Sequence, residues 1–359
     1  MRVLVINGPN LDRLGMREPE VYGSTTLAEL EQMIEAWAGS LDIVSDHIQS
    51  NHEGTLIDAI HQSDHDAMVV NPGALTHTSR ALADAFAAVE IPVVEVHISN
   101  VKERESWRRD SVLEDVAVGS IYGRGLVGYH HALRHIANRR AQPFEAISYG
   151  PHRDNVGELR RGGSGLIVLV HGGFWRHEWT RDTMESLAVD LAQKGHNTWN
   201  IEYRRIGAGG GWPASGHDVL TALEFIPRLG LDVAAATVVG HSAGGYLGIW
   251  AGGKPRSCVG KVIGLAPVTD LDMHSRSDLF GAEEAQLLLG GGAPSTPESG
   301  TVPVVCFHGA DDDLVPTEHS SHFASTQAGR YELVPGGHFE LLDPSREQWT
   351  RVVAEIAGP

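Results

Sequence analysis

Cysteine is nearly absent: Cys258 and Cys306 are the only two in 359 residues, too few for a disulfide framework. Long apolar runs are missing as well, and no stretch reaches the twenty or so residues of a membrane helix. The opening MRVLVINGPN has one basic residue and a four-residue apolar run, too little for a secretory signal. Basic residues are scarce, 28 Lys and Arg against 46 Asp and Glu, for a formal net charge of −18. That sign works against phosphate backbones and anionic lipid. These absences lead us to expect a soluble, cytoplasmic protein that acts on small molecules, with neither nucleic acid nor membrane as partner. An anionic substrate then has to be met by local arginine clusters.

What is present divides in two. A chain of this length usually forms two domains. Short apolar runs at Arg2–Ile6, Ala67–Val70, Pro92–Val96 and Val116–Ile121 alternate with helix-like stretches. One of these opens at Thr26-Leu27-Ala28-Glu29, a capping box, another runs from about Thr78 to Val89, and a third covers Leu126–Ala137. This alternation predicts a parallel sheet with helices on both faces. Arg139-Arg140-Ala141-Gln142-Pro143 reads as a boundary, so we expect domains at 1–142 and 147–359. Beyond it lie six of the eight Trp and a second strand series at Gly165–Val170, Thr198–Tyr203, Ala236–Val239, Val262–Leu265, Val302–Phe307 and Arg330–Val334.

In the first domain, polar groups cluster in turns at predicted strand ends: Asn10 with Arg17 and Tyr22, Asn71 to His77, Asp84, the run Glu95 to Ser99, and Arg104 with Arg108. Taken singly, Asn10 and Asn71 fit ordinary turn chemistry, and Arg104 fits a charged helix face. Together they describe a reaction. A cation about 4 Å from a tyrosine is worth roughly 4 kcal/mol at an effective dielectric near 20. That is enough to pull a phenol towards neutrality and make it a base. Tyr22 then abstracts a proton beside a carbonyl, His97 protonates a leaving hydroxyl, and Asn10 holds an enolate oxygen or water.

Asn7-Gly8-Pro9-Asn10-Leu11, Leu14-Gly15-Met16-Arg17-Glu18-Pro19 and Tyr22-Gly23 resemble the opening signature of type II 3-dehydroquinate dehydratase. Gln49-Ser50-Asn51-His52-Glu53-Gly54, Asn71-Pro72-Gly73-Ala74, Thr76-His77-Thr78-Ser79 and Glu95-Val96-His97-Ile98-Ser99-Asn100 match its later motifs in order. The resemblance implies a flavodoxin-like fold and cofactor-free anti elimination of water, giving 3-dehydroshikimate. It implies that Tyr22 is the base tuned by Arg17, His97 the acid and Asn10 the enolate partner. Asn71, His77, Asp84, Ile98, Ser99 and Arg108 hold substrate. It further implies a mobile lid around Arg17 and a homo-oligomer, commonly a trimer-based dodecamer. The unrelated type I enzyme needs a Schiff-base lysine, whereas the only lysine before residue 140 is Lys102, inside a charged, surface-like run. His130, His131 and His135 have no ligand of a third type nearby, and we expect no metal.

The second domain carries Gly240-His241-Ser242-Ala243-Gly244 between a strand and a helical stretch, the setting of a nucleophile elbow that lifts its serine into solvent. His171-Gly172-Gly173-Phe174-Trp175 follows another strand, and the amides of Gly172, Gly173 and Phe174 with that of Ala243 can form an oxyanion hole. His308-Gly309-Ala310-Asp311-Asp312-Asp313 and Pro335-Gly336-Gly337-His338 complete the order Ser, Asp, His. These elements resemble α/β-hydrolases of the esterase and kynurenine-formamidase-like branch. The resemblance selects Asp312, three residues before Val315-Pro316, with Asp311 and Asp313 as alternatives. The segment between Val268 and Val302 leaves room only for a small lid.

The expectation is a bifunctional enzyme, a 3-dehydroquinate dehydratase joined to a serine ester or amide hydrolase. The dehydratase belongs to shikimate-pathway chemistry, in aromatic amino acid biosynthesis or in quinate metabolism. A quinate or shikimate ester is one substrate for the hydrolase, with Arg176, Arg181, Arg204 and Arg205 as candidates for its ring carboxylate. The alternatives are a hydrolase fold that serves assembly or binding, and an arylformamidase-like second activity.

Overall fold

The computed structural model describes residues 1–16, 23–101, 104–327 and 329–358. The chain forms two compact units, Met1–Arg140 and Ala141–Pro359.

In the first unit, strands β1 (Arg2–Asn7), β2 (Val44–Gln49), β3 (Ala67–Asn71), β4 (Val93–His97) and β5 (Gly119–Tyr122) form one parallel sheet in the order β2-β1-β3-β4-β5. This is the flavodoxin-like order, with ligands expected beyond the carboxyl ends of the strands. β1, β3 and β4 are apolar runs because helices cover both faces. Alternate residues serve opposite cores. Val3, Val5, Val69, Val94 and Val96 pack with Leu30, Ile34 and Leu133, while Leu4, Ile6, Met68 and Val70 pack with Leu56, Ile60 and Phe86.

Helix α1 (Leu27–Ser40) starts at the capping box of Thr26 and Glu29. Helices α2 (Glu53–His61), α3 (Arg80–Val89) and α4 (Val127–Ala141) follow. α3 starts later than its apolar pattern indicated. Residues Gly73–His77 form a 3-10 turn, and the Ser79 hydroxyl then accepts the Leu82 N–H as the cap. β2 was not expected. It is an edge strand of sequence VSDHIQ with a largely exposed face, so it lacks an apolar run.

The second unit holds an eight-stranded sheet in the order β13-β12-β11-β10-β8-β9-β7-β6. Its strands are β6 (Glu145–Ser148), β7 (Val156–Arg160), β8 (Ser164–Val170), β9 (His196–Ile201), β10 (Ala236–His241), β11 (Val259–Leu265), β12 (Val304–Gly309) and β13 (Arg330–Val334). β7 runs antiparallel to both β6 and β9, and the remaining pairs are parallel. This is an α/β-hydrolase fold. The two strands absent from the sequence expectation, EAIS and VGELR, are short and contain acidic residues.

Helix α5 (Ala243–Gly252) is buried along its whole length. It is apolar all round rather than amphipathic, as a helix enclosed by its domain should be. Between β11 and β12, two short helices at Leu271–Ser275 and Ala282–Gly290 occupy the segment expected to hold a small lid. Among the described residues no helix is long and apolar enough to cross a membrane.

Candidate active sites

In the first unit the carboxyl ends of β1, β3 and β4 open on a cavity of about 140 Å³. Asn10, Asn71, His77, His97, Ile98, Ser99 and Arg108 line it together, with Arg13 and Arg104 beside them. Tyr22 and Arg17 lie outside the described residues. Asp84 lies on α3, whose buried face is Leu82, Ala85 and Phe86; it is exposed and is not among the residues that line this cavity.

Alternation along β4 puts Glu95 and His97 on one face. His97 Nε2 lies 2.8 Å from Glu95 Oε1. Ser111 Oγ donates to Glu95 Oε2 at 2.8 Å, and the Thr76 hydroxyl donates to Oε1. Burial pushes the Glu95 carboxyl up, but the hydrogen bond and charge of His97, with Thr76 and Ser111, outweigh it and hold the group below the usual glutamate range. His97 is thus tied to a buried carboxylate that the sequence marked only as part of a motif.

Asn7 and Asn71 are register partners on β1 and β3. The fully buried Tyr129 of α4 joins them: its hydroxyl donates to Asn7 Oδ1 at 2.6 Å and accepts from Asn71 Nδ2 at 3.0 Å. Asn71 Oδ1 takes the Gly73 N–H at 3.3 Å. Burial raises the Tyr129 phenol above its ordinary value, so it serves as a fixed neutral hydroxyl. His77 Nδ1 faces the Asp110 carbonyl at 2.8 Å, and burial lowers its pKa. The backbone at Asn10 is left-handed, φ 69°, and its N–H donates to Asn51 Oδ1 at 2.7 Å. The turn reading of Asn10 and its place in the cavity wall therefore hold together.

In the second unit, Ser242 links β10 to α5 with φ 51° and ψ −119°, a conformation that L residues rarely hold. The elbow closes because Gly244 has no side chain; a Cβ there would lie 2.1 Å from the Val170 carbonyl oxygen. Contrary to the expected exposed serine, Ser242 is buried, and its Oγ has no hydrogen-bond partner among the described residues. Phe174, on the loop after β8, stacks on His274 and meets Phe280 edge-on; Phe339 packs on His338 and Trp179.

His338 Nδ1 donates to Asp312 Oδ2 at 2.7 Å. The N–H groups of Leu314 and Val315 hold Asp312 Oδ1 at 3.0 and 2.8 Å. His308 lies 3.3 Å from Oδ2. Burial pushes Asp312 up, yet the bonds from His308 and His338 hold it well below the usual carboxylate range. Of the three consecutive aspartates, Asp312 is the one that meets the histidine; Asp311 and Asp313 are exposed. Gly172 closes on the elbow, since a Cβ there would lie 2.9 Å from Ser242 Cβ, and the turn continues through left-handed Gly173, Phe174 and Trp175. Ala243 opens α5, so its N–H has no acceptor within the helix.

The four arginines named as candidates for a ring carboxylate are paired with acidic side chains. Arg176 pairs with Glu284 at 2.7 Å, Arg181 with Glu158 at 2.9 Å, Arg204 with both oxygens of Asp218 at 2.7 and 2.8 Å, and Arg205 with Glu202. Separation in sequence concealed the partners of Arg176, Arg181 and Arg204, whereas Glu202 lies only three residues before Arg205.

Residues 1–137 match the family model described as dehydroquinase class II, and residues 158–326 match the model BD-FAE. A 3-dehydroquinate dehydratase of Yersinia enterocolitica is 52% identical over 139 residues, covering 38% of this chain and 93% of that one. A catabolic 3-dehydroquinase of Phaeosphaeria nodorum is 53% identical over 146 residues, covering 40% and 96%. The second unit is similar in fold to a truncated carbohydrate esterase from gut microbiota, with a TM-score of 0.50 and 16% identity over 59% of this chain and 94% of that one.

Proposed function

Because the chain belongs, through residues 1–137, to the class II dehydroquinases, we propose that its first unit removes water from 3-dehydroquinate and that its second unit is a serine hydrolase of carboxylic esters. The cavity that gathers Asn10, Asn71, His77, His97, Ile98, Ser99 and Arg108 supports the first activity. In this reading Tyr22, with Arg17 lowering its pKa, takes the proton beside the ketone. Asn10 supports the enolate, and His97, oriented by Glu95, returns a proton to the departing hydroxyl. Asn71 and its neighbours hold the ring and its carboxylate. Self-assembly through this unit is part of the proposal.

The Asp312–His338 pair, in a domain whose strand-to-helix elbow carries Ser242, supports the second activity. Ser242 Oγ attacks the acyl carbon and His338 takes its proton. Asp312 holds the imidazole and balances its charge. The amides of Gly172, Gly173, Phe174 and Ala243 are the proposed donors to the oxyanion. The arginines named as candidates for a ring carboxylate are paired with acidic side chains, so the substrate is proposed only as an ester or related acyl compound. Turnover of 3-dehydroquinate and of a short acyl nitrophenyl ester by the same purified chain tests both halves. Absence of either activity removes that half.

A further inference from the structure

We propose that His171 is a positioning residue of the hydrolase, held as an imidazolium by Glu202 so that it fixes the Gly172–Phe174 loop and places positive charge behind it. This rests on the serine-hydrolase reading of the second unit. His171 is fully buried, and both ring nitrogens face acceptors. Nε2 lies 2.7 Å from Glu202 Oε1, and Nδ1 lies 2.8 Å from the Gly172 carbonyl oxygen. A carbonyl has no proton to give, and a neutral imidazole has only one.

Glu202 does not supply the missing proton either. Its carboxylate accepts from Arg205, from the Arg181 N–H at 3.1 Å and from the Tyr203 N–H at 3.1 Å. Burial pushes it up, but neighbouring charges, that of Arg205 first and that of Arg181 among them, hold it well below the usual glutamate range. Both hydrogen bonds of His171 therefore need both ring protons. The Tyr203 ring lies nearly parallel to the imidazole, centroids 4.3 Å apart, the face that an aromatic ring offers a cation. The surrounding charges are consistent: Glu158 pairs with Arg181, Asp154 lies 3.5 Å from Arg205, and burial pushes the pKa of nearby His241 well down.

The bond from Nδ1 draws the Gly172 carbonyl to the ring. In a trans peptide the following N–H points the opposite way, so the Gly173 N–H faces away from His171. Tyr203 ties the same loop a second time, its hydroxyl donating to the His171 carbonyl at 2.9 Å. The loop needs holding. Phe174 and Trp175 are consecutive left-handed residues, φ 48° and 59°, and a Cβ on Gly173 would lie 2.1 Å from Trp179 Cβ. A fixed cation beneath a loop that faces developing negative charge favours the transition state over the ground state.

The test combines a spectrum and kinetics on the full chain. With histidine labelled by ¹⁵N, the signals absent from His171→Asn belong to His171. Two N–H signals are expected from His171, and a single protonated nitrogen overturns the proposal. Glu202→Gln keeps the shape and removes the charge. A kcat lower by on the order of tenfold to a hundredfold, with KM little changed, is expected for a nitrophenyl ester. A folded Glu202→Gln variant with wild-type kcat overturns the proposal. Ser242→Ala separates the two ideas. If it retains ester cleavage, the serine-hydrolase reading fails. If it abolishes cleavage while Glu202→Gln is silent, only the role of His171 fails.

Discussion

The carboxylate of Glu95 and the imidazole of His97 meet at 2.8 Å inside the first unit, two residues apart on one face of β4. The pair couples the fold to the proposed proton transfer, because the strand that builds the core also fixes the acid. Replacing Glu95 by Gln is expected to lower dehydration kcat on the order of tenfold to a hundredfold, since general acid catalysis contributes about 10²–10⁴ and depends on orientation. Steady-state kinetics with 3-dehydroquinate check this; unchanged kcat would mean that His97 needs no carboxylate.

The same residue sets an acid response. The folded state lowers the Glu95 pKa below its ordinary 4.5. Its stabilisation is therefore fully present above that value and is lost as the pH falls through the lower folded value. Unfolding of wild type and Glu95→Gln across acidic pH is expected to show a steeper loss for wild type. Parallel curves would contradict it.

Tyr129→Phe removes the hydroxyl joining Asn7 to Asn71 and leaves buried amide groups unpaired, at a cost of about 1–3 kcal/mol. With Asn71 no longer held, KM for 3-dehydroquinate is expected to rise several-fold while kcat changes less. Wild-type KM and stability would show that the link is dispensable.

Asp312→Asn is expected to reduce ester hydrolysis by about 10³–10⁴, the size of effect that follows when a triad histidine loses its carboxylate. Asp313→Asn, at an exposed position, is expected to leave kcat within about twofold, as a surface change should. Equal effects of the two substitutions would refute the assignment.

Ser242 holds a backbone of positive φ and a buried hydroxyl that has no partner among the described residues. Ser242→Gly removes both liabilities and is expected to stabilise the second unit by about 1 kcal/mol or more while abolishing hydrolysis. Guanidinium unfolding followed by tryptophan fluorescence reports on it, because six of the eight Trp belong to that unit. A lower midpoint would show that the serine is not a strained residue.

The apolar strands and the polar residues at their carboxyl ends were legible in the sequence, because a parallel sheet buried on both faces needs runs such as VLVI and those residues end them. β2, β6 and β7 were not, since edge or antiparallel strands with polar residues carry no such run. Asn71, His77 and His97 were legible as cavity residues, whereas Tyr129 was not. Its partners Asn7 and Asn71 are 122 and 58 residues away, and nothing in the helical pattern of α4 marks a hydroxyl as a link. The carboxylates that meet Arg176, Arg181 and Arg204 were not legible for the same reason: local charge is visible in a sequence, but a distant partner is set by the fold.

The central claim is two separate active sites on one chain, and one pair of assays tests it most directly. Dehydration of 3-dehydroquinate and cleavage of a short acyl nitrophenyl ester are measured on full-length wild type, Tyr22→Phe and Ser242→Ala. The account predicts that wild type has both activities, that Tyr22→Phe loses only dehydration, and that Ser242→Ala loses only ester cleavage. Either activity missing from folded wild type, or both lost on a single substitution in a folded variant, would contradict it.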